Sequence, residues 1–194
     1  MDSLLAVAET AYNRVTSLRA AFSQRMEVPL LDRVSEGHGT WYQRGSGHFR
    51  MAFDEPPGDV LVADGTFFWA YQPSQQPDQV IRSRLGTGAE AGTVDVLGQI
   101  LSEARTRYSG VYTGRETVSD VETLVVTLTP RERGRYRGVR VWIAVSDGLV
   151  RRFRIEEENE SVRTVTLSAL EPQVSLPDSL FRFTAPPGVQ TFEG

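Results

Sequence analysis

The chain has no cysteine. Disulfides, thiolate metal sites and a cysteine nucleophile are excluded, while the redox compartment stays open. The two histidines, His38 and His48, have no partner at metal-ligand spacing and read as solvated side chains. Lysine is missing altogether, so every basic residue is Arg; this reads as a genomic bias. No run of about 18 apolar residues occurs, so no helical membrane span is expected. Met1-Asp2-Ser3-Leu4 has neither the basic nor the apolar region of a signal peptide, and a cytosolic chain, or a mature form with an added start Met, is expected. Gly-rich phosphate loops and a nucleophile elbow are lacking, and no carboxylate pair is marked out for acid–base work. The acidic run Glu156-Glu157-Glu158 with Glu160 lacks the Gly turn of a calcium loop and reads as a solvated strand end. The expectation is therefore no enzyme and no cofactor, and a net charge of −4 argues against nucleic acid as the partner.

What is present describes an ordinary globular composition, and 194 residues suffice for a sizeable core. With no repeat or linker in sight, a single domain over residues 1–194 is expected. From Leu4 to Gln24, Leu4, Ala8, Ala11, Val15, Leu18 and Phe22 recur in steps of four and three. That spacing predicts an amphipathic helix, capped by Ser3 and stopped by Pro29. A second helix is predicted after Thr93 on the stripe Val94, Leu97, Leu101, Ala104 and Tyr108, behind the glycines Gly86, Gly88 and Gly92.

Between and after these lie strand patterns joined by short turns. The candidates are Glu36 to Arg44, His48 to Asp54, Val60 to Ala63, Phe67 to Tyr71, Gln79 to Arg84, Ser109 to Glu116, Val121 to Thr129, Gly138 to Val145, Leu149 to Glu157 and Ser161 to Leu170. Phe49, Met51 and Phe53 share one face of their strand. Asp64-Gly65 is suited to a tight hairpin turn, and beyond it Phe67, Trp69 and Tyr71 alternate with Phe68 and Ala70; which of these sets faces inward is left open. Val139, Val141, Ile143 and Val145 oppose Arg140, Trp142 and Ala144. Ten antiparallel strands with two amphipathic helices predict a mainly β fold: a curved sheet forming an unclosed barrel, with the helices as a lid. Its interior is either a packed core or a ligand cavity. The Arg-rich stretch Arg131, Arg133, Arg135, Arg137 and Arg140 is either a solvated loop or a dock for an acidic partner or lipid surface.

Six segments, in order, carry a family likeness. They are Ser17-Leu-Arg-Ala-Ala-Phe-Ser-Gln24, Glu36-Gly-His-Gly39 with Trp41-Tyr-Gln-Arg44, His48-Phe-Arg-Met51, Val60 to Pro73 with its D-G turn and W-x-Y, Leu128-Thr-Pro130, and Phe181-Arg-Phe-Thr-Ala-Pro-Pro-Gly-Val189. The chain resembles the periplasmic outer-membrane lipoprotein carrier family, LolA. Departures are Gly45 in place of a proline, a longer turn at Ser46-Gly47-His48, and Met51 in place of a tryptophan.

The resemblance implies a non-enzymatic periplasmic carrier whose pre-sequence has been removed. It would take acylated lipoproteins from an inner-membrane LolCDE-type ABC transporter to the outer membrane, in some cases through a LolB-type receptor, and act as a monomer. It further implies that Arg44 latches the lid, that Phe49, Met51, Phe53, Leu61, Trp69, Tyr71 and Trp142 line an acyl-binding cavity, and that Val15, Leu18, Phe22, Leu97 and Leu101 belong to the lid. The alternatives are a LolB-like receptor, a lipid- or protein-sensing regulatory domain on the same barrel and, more distantly, a hydrolase.

Overall fold

The structure, a computed structural model, describes residues 6, 10–45, 47–85, 108–132 and 136–194. Among them are twelve strands: β1 (Ser17–Val28), β2 (Arg33–Arg44), β3 (His48–Glu55), β4 (Val60–Asp64), β5 (Phe67–Tyr71), β6 (Gln79–Arg84), β7 (Tyr108–Val118), β8 (Val121–Pro130), β9 (Tyr136–Ala144), β10 (Val150–Glu157), β11 (Val162–Pro172) and β12 (Gln190–Glu193). Single 3-10 turns lie at Pro29–Leu31 and Asp178–Phe181. The strands hydrogen-bond in the order β12-β6-β5-β4-β3-β2-β1-β11-β10-β9-β8-β7. The order is open, since β12 and β7 each have one neighbour. Sequence neighbours from β2 to β6 and from β7 to β11 pair antiparallel, as short turns require.

β12 is the exception and pairs with β6 in parallel. A hairpin cannot make a parallel pair, so the chain after β11 must cross to the far end of the order before Gln190. Residues 173–189 make that crossing.

The predicted first helix is corrected. Residues 10–14 are helical, but β1 begins at Ser17, which puts Leu18 and Phe22 on a strand and not on a helical lid. The spacing Leu18–Phe22 suits one helical turn and two strand repeats equally. Ala20 decides it: Leu18, Ala20 and Phe22 are all buried while Arg19, Ala21 and Ser23 are exposed, which is a period of two. Val15 follows the helical residues directly and is half-buried. The second predicted helix, with Leu97 and Leu101, lies outside the described residues, apart from Tyr108, which opens β7. β12 was not expected, because Gln190-Thr-Phe-Glu193 is short and follows a Pro-Pro-Gly break.

By contact density the chain divides into two compact units: Met1–Arg14, Phe22–Glu36 and Gln99–Ser168 form the first, and Val15–Ala21, Gly37–Gly98 and Ala169–Gly194 the second. In the first, the register aligns Val126, Val141, Phe153 and Val165 across β8 to β11, all of them buried. The reverse face of these strands carries the row Val125, Trp142, Arg152, Thr166 and the row Thr127, Arg140, Arg154, Thr164. Charged heads on this face keep contact with water while their stems cover the sheet.

Candidate functional site: two faces of the second unit

In the second unit, β2 to β6 form a regular ladder in which directly opposed residues share a face. One row reads Gln43, Phe49, Ala63, Phe68, Ser83; the next reads Trp41, Met51, Leu61, Ala70, Ile81. Phe53, opposite Gly39, extends the same face. Trp41, Phe49, Met51, Phe53, Leu61 and Phe68 are all buried, with Trp41 and Phe49 edge to face at 4.4 Å between ring centroids.

Glycine makes room for this surface. A Cβ at Gly37 would sit 3.1 Å from the Phe53 ring, and one at Gly39 only 2.0 Å from the Ala52 carbonyl oxygen. A side chain at either position would push β2 off β3. Asp59, itself buried, fixes the start of β4 by accepting bonds from Ser74 N (3.0 Å) and Ser74 Oγ (2.7 Å).

The reverse face is built differently. There Arg44, His48, Arg50, Trp69 and Tyr71 meet the crossing segment after β11. Arg44 Nη1 donates to Asp178 Oδ1 at 2.5 Å and to the Leu176 carbonyl at 3.2 Å, and its guanidinium lies 4.9 Å from the Phe181 ring centroid. Phe181 is 1% exposed and meets the His48 ring edge-on at 5.7 Å. Arg50 donates to the Leu180 carbonyl at 3.2 Å. Phe183 packs on Trp69 (5.6 Å) and Tyr71 (5.9 Å). Arg82 covers the rings of Phe67 (4.7 Å) and Trp69 (5.3 Å) and pairs with Glu193 on β12. The crossing segment thus acts as a strap.

Local electrostatics follow this geometry. The Asp64 carboxylate accepts bonds from Phe67 N (2.7 Å), Thr66 N (2.9 Å) and Trp69 Nε1 (2.9 Å). Partial burial acts to raise its pKa, but these three bonds and the nearby His48 outweigh it, and the carboxyl sits below its ordinary value. The Arg44 hydrogen bond and charge hold Asp178 low as well. Burial pushes the Arg50 guanidinium down.

Measured against the sequence expectations, Phe49, Met51, Phe53 and Leu61 come together on one buried face. Trp69 and Tyr71 do not join them: alternation along β5 sends Phe68 and Ala70 to that face and Trp69 and Tyr71 to the strap. Trp142 is corrected too. It lies on the reverse face of the first unit, between Arg140 (5.4 Å) and Arg152 (5.6 Å), with Nε1 donating to Glu116 at 2.8 Å. Arg44 is placed as a fastening residue, and its described partners are strap residues. Leu18 and Phe22 belong to β1. Of the Arg-rich stretch, Arg137 meets the acidic run, pairing with Glu158 at 3.8 Å and Glu160 at 3.2 Å. Sequence reading missed Trp41, Phe68 and the strap. The alternation of β2 and β5, and the F-x-F spacing of Phe181 and Phe183, were the available signals. Among the described residues no cluster of His, Asp and Glu could hold a metal.

An open, largely antiparallel twelve-stranded sheet defines the class of fold. The family model described as outer membrane lipoprotein carrier protein LolA matches residues 13–184, and the chain belongs to that family. It is 26% identical over 182 residues to the outer-membrane lipoprotein carrier protein of Alkalilimnicola ehrlichii, covering 94% of this chain and 80% of that one. It is 21% identical to the protein of that name from Nitrosomonas europaea, covering 93% and 84%. In fold it is similar to an uncharacterized conserved protein from Thermus thermophilus (TM-score 0.59, 12% identity, covering 100% and 98%). It is also similar to Mycobacterium tuberculosis lipoprotein LppX (TM-score 0.51, 19% identity, covering 91% and 99%).

Proposed function

We propose that the chain carries the acyl chains of lipoproteins on the face formed by Trp41, Phe49, Met51, Phe53, Leu61 and Phe68. It would work in the periplasm as a monomer, receiving cargo from an inner-membrane LolCDE-type ABC transporter and delivering it to the outer membrane, with or without a LolB-type receptor. The observation that carries this reading is that face: two adjoining rows, almost wholly apolar, in a member of a carrier family.

The physics suits carriage. Each methylene taken out of water is worth about 0.8 kcal/mol, so shielding two or three acyl chains needs apolar surface and no directional bonds. Release needs a cover that opens cheaply. Arg44 is proposed as the latch of that cover, and Val15, Leu97 and Leu101 as parts of the lid.

Native mass spectrometry of the protein recovered from its own envelope tests the carriage reading. The expected result is a bound acylated species, lost on substituting Met51→Asp. Uniformly ligand-free protein would contradict it. For the latch, Arg44→Leu is expected to alter transfer of cargo to outer-membrane acceptors; unchanged transfer would remove Arg44 from the mechanism.

A further inference from the structure

The hairpin that joins β1 to β2 ends in a feature that neither the core nor the strap uses. Of the exposed large hydrophobic residues, three cluster here: Leu30 (74%), Leu31 (70%) and Val34 (53%). Pro29–Leu31 form a 3-10 turn with no buried residue, closed by Asp32 in the left-handed region with its N–H on the Pro29 carbonyl. The pairing with β3 stops short of the apex, because β3 ends at Glu55, which pairs with His38, so residues 33–36 of β2 have no partner on β3. Residues 29–36 are all exposed.

The charges at the tip itself cancel, while the arm below it, with one Arg between two Glu, carries a single net negative charge. Arg25 pairs with Glu27 at 2.9 Å and with Glu36 at 2.7 Å, which ties the two strands together below the turn. Asp32 and Arg33 offset one another at the tip. What projects is an exposed apolar tip with no excess of positive charge.

We propose that this arm is a membrane-contact element that seats Leu30, Leu31 and Val34 in the interfacial region of a phospholipid bilayer. Three side chains and a proline present far less than the roughly 800 Å² per partner that a stable protein interface buries. A convex tip also needs a ready-made pocket in a protein but none in a bilayer, which adapts to it. Proline brings no N–H to the apex and one remaining N–H is bonded within the turn, which lowers the cost of entering the interface. With no excess of positive charge the contact is apolar, so it needs no anionic lipid. The inference goes beyond the carrier reading: it concerns a surface for meeting lipid, whatever the chain carries.

The absence of cysteine makes the test clean. Leu31→Cys labelled with an environment-sensitive fluorophore is expected to shift blue on vesicles of phosphatidylcholine, and equally on vesicles containing phosphatidylglycerol, at low and at high salt. The same label at Gln76→Cys is expected not to respond. In flotation with these vesicles, a Leu30→Ser/Leu31→Ser variant is expected to lose at least about tenfold in partitioning, from the transfer free energy of the two side chains. Both sites are exposed, and an unchanged circular dichroism spectrum checks the fold. Three outcomes would overturn the proposal: no blue shift at position 31, flotation unaffected by the double substitution, or binding abolished by salt. A blue shift without vesicles that grows with protein concentration would also overturn it, by assigning the tip to a second copy. Cargo detected by mass spectrometry in the double variant keeps the carrier reading separate from this one.

Discussion

The two units solve one problem in two ways. Each has a sheet with an apolar face, and each covers tryptophan on the reverse face with arginine: Arg82 over Trp69 in the second unit, Arg140 and Arg152 around Trp142 in the first. In the first unit the described reverse-face contacts are made by neighbouring strands. Glu116 receives the Trp142 N–H, Thr123 Oγ1 donates to the Glu116 carbonyl at 2.6 Å, and Arg152 Nε donates to Thr166 at 3.0 Å. In the second unit the reverse face is finished by a distant piece of chain, residues 176–183. β4 records the difference: Val60, Leu61, Val62 and Ala63 are all buried, as in a strand covered on both sides. β10 instead alternates buried Phe153 and Ile155 with half-exposed Arg152 and Arg154. A unit closed by a strap depends on a few fastening points, and one closed by its own side chains does not.

The largest expected effect breaks the strap. Phe181→Ala should cost about 3–5 kcal/mol in chemical denaturation and free the Trp69 and Tyr71 rings, read as increased solvent quenching of Trp69. Next come matched glycines. Gly39→Ala drives a methyl group into the Ala52 carbonyl and should cost about 1–3 kcal/mol or more. Gly138→Ala in the first unit meets only the Leu128 oxygen at an ordinary 3.7 Å and should stay within about 0.5 kcal/mol. Equal losses at both would erase the contrast.

Asp64→Asn should cost about 1–2 kcal/mol at neutral pH. Because the folded-state pKa of Asp64 is depressed, the carboxylate's contribution is fully present above the ordinary value of 3.8. It is lost as pH falls through the lower folded-state value. The stability gap between wild type and Asp64→Asn should therefore close in acid; a gap independent of pH would show that the hairpin bonds do not depend on the charge. The smallest effect belongs to the first unit, where Arg152→Gln should cost about 0.5–1 kcal/mol, since Arg140 still flanks Trp142.

Most of the strands were legible in the sequence, because period-two alternation and turn residues are local signals: β5 and β6 span the residues read from pattern, and β2 to β4 and β7 to β11 differ only at their ends. The misreadings have physical causes. Leu18 and Phe22 satisfy both periods, and pairing, not propensity, makes them strand. Trp69 and Tyr71 are grouped with Phe49 by the resemblance of the hairpin's W-x-Y to the family motif. Alternation alone leaves open which face of β5 is which, until the ladder through Leu61 and Ala70 settles it. Trp142 is grouped with Phe49 by the resemblance, although its neighbours Arg140 and Ala144 already place it opposite Val141. The strap and β12 depend on contacts more than a hundred residues apart, such as Arg44 with Asp178, and nothing local announces them.

The central claim is that cargo lies against Trp41, Phe49, Met51 and Phe53, with Trp69 on the other side of the sheet. The chain's three tryptophans allow one direct measurement: single-tryptophan variants that retain Trp41, Trp69 or Trp142, loaded with a lipopeptide whose acyl chain carries a nitroxide quencher. Strong quenching of Trp41 and little of Trp69 or Trp142 is expected. Quenching of Trp69 with Trp41 unaffected would contradict it.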